Sequence, residues 1–242
     1  MKTNVIYNED CLEGMKRIPD NSIDLVVMDP PYKIVAGGSG GAFGKDKRNY
    51  HNEIERNGLH LGISNKIFDE LVRVLKKVNL YTFCNKNQVL QILTYFKDYN
   101  YDILTYHKTN PIPTCNNKYL SDTEYIIFVK EKGIGLNGTY KTKKKYFIQK
   151  NAKNDYEHPT VKPLNIIKKL IINSSNEKDL IFDPFIGSGT TAVASILLNR
   201  KFIGYEINEN YYNMAIKRIG KFDKKYYEQL PEEKQPDRIQ LF

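Results

Sequence analysis

The sequence predicts an α/β protein built on one open sheet with helices on both faces. Two observations carry this expectation. Short apolar runs alternate with segments of helical period along most of the chain. Two of those runs, "SIDLVVMD" and "DLIFD", stop at an aspartate followed by proline, and the second turns through glycines straight into a helix.

Taken in order, "NVIY" reads as a strand and "DCLEGMKRI" as a helix. "SIDLVVMD" is the next strand. "SNKIFDELVRVLKKV" places Ile67, Leu71, Val74 and Val78 on one helical face, with Ser64 as the N-cap. "NLYTFC", "NQVLQILTYFKDY", "YDILTYHK" and "TEYIIFVKE" follow as strand, helix, strand and strand. "KPLNIIKKLIINSS" is a helix with Pro163 near its first turn. "DLIFDPFIGSGTTAVASILLN" reads strand, glycine turn, helix opening at Thr190. "KFIGYEI" and "ENYYNMAIKRIGK" close the series as strand and helix. Two stretches break the alternation. Residues 36–58, with "GGSGGAFG" at their start, read as a mobile loop. Residues 107–157 are less regular, with ten lysines and five acids, and read as an appended recognition lobe. The tail, 223–242, has mixed charge and no period.

With 242 residues and 40% hydrophobic content, the chain can bury one full core plus a small lobe. No run approaches the ~20 apolar residues of a membrane helix. The N-terminal "MKTNVIYNED" has no apolar signal region, so a cytosolic protein without membrane association is expected. Cys11, Cys84 and Cys115 are widely spaced with no Cys-x-x-Cys pair. That pattern argues against a disulfide framework, a metal site or a cysteine nucleophile. A net charge of +9, from 37 basic and 28 acidic residues, suits a polyanionic partner, nucleic acid first.

Two strand ends carry the chemistry. In "FDPFIGSGTTAVAS", Gly187 and Gly189 allow close approach of the backbone to a ligand. The helix that follows offers its N-terminal N–H groups to a carboxylate or phosphate. Asp183 stands at the end of the strand, and Glu206 ends the next one, about 20 residues on, where an acid commonly meets ribose hydroxyls. Together they point to a nucleoside cofactor that bears a negative group. A tight turn without a ligand would use the same glycines, and the full dinucleotide fingerprint is absent. "GAFGKDK" is not a phosphate loop, because Asp46 replaces the required hydroxyl. In "VVMDPPYKI" the prolines stop the strand, fix φ and cannot donate. Asp29 and the Pro30 carbonyl are thereby presented as acceptors, with Tyr32 beside them.

"DPPY" (residues 29–32), "HPTVKP" (158–163) and "DPFIGSGTT" (183–191) together resemble the amino-group DNA methyltransferases that use S-adenosylmethionine. The order, with DPPY first and the glycine turn late, resembles the β class, a permuted Rossmann-like sheet of the class I methyltransferase kind. The likeness covers roughly residues 1–35 and 158–220, with further support from "HKTNPIP" at 107–113. It implies one catalytic domain in two parts, 1–106 and 158–222, around a small target-recognition region at 107–157. It implies Asp29, Pro30, Pro31 and Tyr32 as the catalytic set. Asp29 and the Pro30 carbonyl would accept from an exocyclic amino group, and Tyr32 would stack on the flipped base. For the cofactor it implies Asp10, Asp183, Phe185, Gly187, Gly189, Thr190, Thr191 and Glu206, with Thr160 and Lys162 on the methionine carboxylate.

This sequence departs from the family pattern at Glu9, where a glycine is usual, and at Val161, where many relatives carry Gln. Asp10 can also serve as a helix N-cap, and the two roles are compatible. His158 reads as a turn residue. Lys141, Lys143, Lys144 and Lys145 are candidate phosphate contacts, and Asn116 and Asn117 candidate base readers. An ordinary solvated lysine face is the alternative. The implied partner is double-stranded DNA. A second copy of the chain and a cognate restriction endonuclease are further candidates. Asp at the first motif position implies adenine N6 as target. Cytosine N4, an RNA substrate and a non-catalytic binding module remain alternatives.

Overall fold

The computed structural model describes residues 1–32, 62–111, 119–150 and 161–222. Eight strands and six helices follow in chain order: β1 (Val5–Tyr7), α1 (Cys11–Met15), β2 (Leu25–Met28), α2 (Asn65–Val74), β3 (Asn79–Cys84), α3 (Lys86–Tyr95), β4 (Asn100–Lys108), β5 (Thr123–Lys130), β6 (Tyr146–Gln149), α4 (Leu164–Ser174), β7 (Leu180–Asp183), α5 (Thr190–Leu197), β8 (Lys201–Tyr205) and α6 (Glu209–Gly220). The strands form one sheet in the order β1-β8-β7-β2-β3-β5-β4-β6. Only β5 runs against the rest: its pairings with β3 and β4 are antiparallel, and every other pairing is parallel.

Side-chain alternation along the strands divides the core. Val26 and Met28 of β2, with Leu80 and Cys84 of β3, face α1, α2 and α3 through Met15, Phe68, Leu71 and Ile92. Leu25 and Val27, with Tyr81 and Phe83, face the other way onto Ile166, Leu170 and Ile171 of α4. A third cluster seats α5 and α6 against Ile6 and Phe202. Strands with apolar residues on both faces are what a parallel sheet covered by helices requires. The open sheet with helices on both faces is therefore as expected from the sequence. The permutation is visible as well: β1, from the start of the chain, lies parallel against β8, with Val5 opposite Ile203 and Tyr7 opposite Tyr205.

Three local expectations change. Ser64 stands at the N-cap of α2 but its side chain makes no capping bond. Asp10 and Asn85 cap α1 and α3 instead, the latter through a capping box with Gln88. α2 also stops at Val74, four residues short of the Val78 expected on its face. The third change concerns residues 107–157, whose described part is no separate lobe. It supplies β5 to the sheet interior and β6 to its edge. The strand β6, inside the lysine-rich "KKKYFIQK", pairs with β4 from Thr105↔Tyr146 to Lys108↔Gln149. Among the described residues no helix is long and apolar enough to cross a membrane.

Candidate active site

The carboxyl ends of β2, β7, β8 and β1 lie side by side, and each is followed by an acid that the sequence singles out. Register brings them together. Val26 pairs with Phe182, Asp183 with Gly204, and the Glu206 amide donates to the Tyr7 carbonyl at 3.0 Å. Parallel strands leave their carboxyl-end loops on one rim of the sheet, the usual site for ligands in such folds.

The half of the rim at β7, β8 and β1 is held by backbone bonds. Glu206 Oε2 accepts from the Gly187 amide at 3.0 Å and Oε1 from the Asn208 amide at 2.8 Å, so this carboxylate ties the glycine turn to its own strand end. Burial raises its pKa, and the backbone N–H groups pull it back in part. Asp183 Oδ1 accepts from the Phe185 amide at 3.0 Å. Burial pushes Asp183 up to about 7, against hydrogen bonds from Thr191 and Phe185 that lower it. Asp10 Oδ1 accepts from the amides of Leu12 at 2.8 Å and Glu13 at 3.2 Å, which is the N-cap role. Cys11, next to it, is buried, and burial and Asp10 push its thiol up to about 12, which disfavours the thiolate.

The turn between β7 and α5 explains its glycines. Gly187 and Gly189 have φ of 50° and 78°, the left-handed region that a side chain resists. A Cβ on Gly189 would also fall 3.1 Å from the Ala215 Cβ of α6. The turn is clamped from below by Arg218, buried at 6% exposure. Its Nη1 donates to the Ser188 carbonyl at 3.1 Å and to Thr190 Oγ1 at 2.9 Å. Arg218 escaped the sequence reading, because nothing local marks a helix arginine as buried. Carboxylates for hydroxyl and ammonium groups, close backbone approach and a helix N-terminus for a carboxylate fit S-adenosylmethionine, which carries all of these partners.

The other half of the rim, at the end of β2, is built differently. Pro30 is buried, and the Pro31 carbonyl accepts from Gln88 Nε2 at 3.0 Å. Gln88 is itself fully buried in the first turn of α3. Lys162, whose ammonium the family resemblance assigns to the cofactor carboxylate, is placed here. Its Nζ lies 3.0 Å from Asp29 Oδ2, 3.0 Å from Glu124 Oε2 and 3.0 Å from the Tyr32 hydroxyl. It also sits 5.1 Å from the Tyr32 ring centroid and 5.2 Å from that of Phe83. Behind it, Lys108 Nζ is 2.5 Å from Glu124 Oε1. Asp29 Oδ1 is buried with no hydrogen-bond partner among the described residues, and so is Glu124 Oε2, which meets Lys162 as an ion pair and not as a hydrogen bond. Burial raises the Asp29 pKa, Lys162 lowers it and Glu124 raises it. Burial also opposes the charge on Lys162, but Asp29, Tyr32 and Glu124 outweigh it and hold its pKa well above the ordinary lysine value. Glu124 is lowered, because Lys162 and Lys108 outweigh its burial.

Glu124, Lys108 and Gln88 were missed by sequence reasoning. Glu124 did leave a signal: it is an acid at the second position of β5, directly before the apolar run from Tyr125 to Val129. Lys141 and Lys143–Lys145 are exposed, as a phosphate-binding face would need, but they run along the sheet edge toward the other rim, with Lys145 beside Thr105 of β4. They precede β6. The Thr142 carbonyl accepts from Asn173 near the end of α4, and the neighbouring Ser174 carbonyl accepts from Asn79 at the start of β3. Lys145 pairs with Asp102. Thr160, Asn116, Asn117, His158, Cys115, the loop at 36–58 and the tail from 223 lie outside the described residues.

A permuted open sheet with a glycine cradle after β7, an acid ending β8 and DPPY ending β2 defines a class I S-adenosylmethionine-dependent methyltransferase. The comparisons with known proteins carry this further. The family described as DNA methylase, of the N6 and N4 amino type, matches residues 23–217, and the chain belongs to it. S-adenosylmethionine is its cofactor. The type II methyltransferase M2.MboI of Moraxella bovis is 30% identical over 83% of this chain and 82% of its own. M2.LlaDCHI of Lactococcus lactis subsp. cremoris is 28% identical over 90% and 89%. Among solved structures, the M1.HpyAVI–SAM complex has a TM-score of 0.61 at 26% identity, covering 88% of this chain and 98% of its own. The cytosine-N4-specific PvuII methyltransferase has a TM-score of 0.70 at 14% identity, covering 93% and 92%, which speaks for the fold alone.

Proposed function

We propose that the chain transfers the methyl group of S-adenosylmethionine to the exocyclic N6 of adenine in a short sequence of double-stranded DNA, as the modification enzyme of a restriction system. The observation that carries this reading is Asp29 Oδ1. It is a buried acceptor with no partner among the described residues, at the end of β2 and beside the cofactor rim. An aromatic amine is a poor nucleophile because its lone pair is delocalised into the ring. Acceptors on both its N–H groups localise that pair. Asp29 Oδ1 and the Pro30 carbonyl supply them, and Tyr32 stacks on the base once it leaves the duplex. Asp10, Asp183, Glu206 and the turn from Phe185 to Thr191 bind the cofactor. The cofactor supplies a methyl already activated on a sulfonium. Positioning it in line with the amino nitrogen supplies much of the acceleration. Two of the relatives above are named type II methyltransferases, which supports a place in a restriction system.

The test is nucleoside mass spectrometry and methylation mapping of DNA and RNA from cells expressing the protein. N6-methyladenine at one DNA sequence is expected. N4-methylcytosine, or modified RNA with unmodified DNA, overturns the reading.

A further inference from the structure

We propose that Lys162 and Glu124 are positioning residues for methyl transfer: the Lys162 ammonium holds Asp29 Oδ2 and the Tyr32 hydroxyl together, leaving Asp29 Oδ1 as the amino-group acceptor, and Glu124, backed by Lys108, holds that ammonium in place. The proposal rests on the function proposed above and gives the same site its missing support.

The geometry carries it. One ammonium at 3.0 Å from both Asp29 and the Tyr32 hydroxyl fixes the acceptor and the stacking ring of DPPY in a single contact set. Without it, Asp29 at the end of a short strand could rotate either oxygen toward the base. Lys162 is itself well anchored. It immediately precedes Pro163 and α4, whose apolar face is packed onto the sheet, and its side chain is 9% exposed. Glu124 is 14% exposed and lies between two ammoniums, Lys162 at 3.0 Å and Lys108 at 2.5 Å. Two carboxylates and two ammoniums make the cluster neutral. Burying such a cluster is costly, and apolar residues of the same volume commonly give equal or greater stability. A placement against the catalytic acid gives it a use that stability does not. Four other groups among the described residues feel these charges, and they lie on this rim. Tyr32 follows Asp29, Cys84 ends β3 with its thiol pushed up to about 12, Tyr106 lies on β4 across from Glu124, and Asp183 ends β7.

The proposal moves Lys162 from the cofactor to the catalytic acid, and the two assignments are separable. The experiment compares the full-length protein with Lys162→Met, Lys162→Arg and Glu124→Gln. It reads the titration of the Asp29 carboxyl by 13C NMR, S-adenosylmethionine affinity by calorimetry, and single-turnover methylation of DNA. Removing the cation should move the Asp29 titration up, and removing the neighbouring anion should move it down. Lys162→Arg should restore it close to the parent value. Lys162→Met should slow methyl transfer by roughly 10²-fold, on the scale of losing one preorganised electrostatic contact, with cofactor affinity unchanged. Weaker cofactor binding with an unmoved Asp29 titration would overturn the proposal and return Lys162 to the cofactor carboxylate. An unmoved titration with unchanged turnover in both charge-removing variants would reduce the cluster to packing. Should Lys162→Met fail to fold, the downward shift in Glu124→Gln decides, since that variant keeps the lysine. Should the parent protein methylate no DNA, the function proposed above fails, while the opposed titration shifts still decide the charge arrangement.

Discussion

The two halves of the rim hold their acids by opposite means. Asp10, Asp183 and Glu206 each accept from main-chain amides two or three residues away or from the glycine turn. Asp29 and Glu124 are held by lysine side chains, Lys162 from far away in sequence and Lys108 from the neighbouring strand. Amide donors come with the backbone and cannot be moved without refolding the loop. A lysine brings a full charge and sets protonation as well as position. Under the proposed function, a cofactor that binds in every turnover suits the first arrangement, and an acid whose proton affinity matters suits the second.

The largest expected effect separates the halves outright. Asp29→Ala should lower methyl transfer by roughly 10²–10³-fold while S-adenosylmethionine binding, measured by calorimetry, stays as it was. A parallel loss of cofactor affinity would merge the two halves. Next, Glu206→Ala removes a half-buried charged acceptor bonded to two amides. At roughly 1.5–3 kcal/mol for such bonds, cofactor affinity should fall about 10- to 100-fold, with smaller loss at saturating cofactor.

Asp183 sharpens the comparison through pH. Its carboxyl, pushed up to about 7 by burial, is largely protonated below neutrality and ionised above it. A cationic cofactor favours the ionised form, so affinity should rise as pH increases through about 7, with proton release on binding. Calorimetry in buffers of different ionisation enthalpy reads this, and Asp183→Asn should remove it. The sign for folding is the reverse. A carboxyl raised above its unfolded value contributes stability below the ordinary aspartate range, and that contribution is lost as pH rises toward 7. The smallest effect is expected far from both halves. Replacing Lys141, Lys143 and Lys144 together by Glu should change DNA affinity, and its salt dependence, much less than the same charge change at the catalytic rim. A large loss would show that the DNA path extends around the sheet.

What the sequence made legible follows the same division. A strand end, the turn after it and the helix that opens are contiguous, so "DPFIGSGTT" and "DPPY" announced their strands, turns and acids directly. Glu206 was legible by its spacing from the glycines. The ion pairs of Lys162 with Asp29 and Glu124 were not, because the three residues meet through the reversal of β5 and the entry to α4. No local pattern states which distant lysine meets which acid. β6 was missed for a different reason. Four residues at a sheet edge, with Tyr146 and Ile148 exposed, carry too little apolar alternation to stand out among lysines. For the same reason the basic stretch looked like a binding lobe when part of it is edge strand.

The pairing of β1 with β8 has a consequence for the order of events in the cell. Asn4 and Phe202, bonded across this edge, are 198 residues apart. At ribosomal speeds of about 5–20 residues per second, the first strand waits roughly 10–40 s for its neighbour. Until β8 has been made, the rim that β1 and β8 share does not exist. Under the proposed function, cofactor binding therefore follows the pairing of β1 with β8 and would reinforce it.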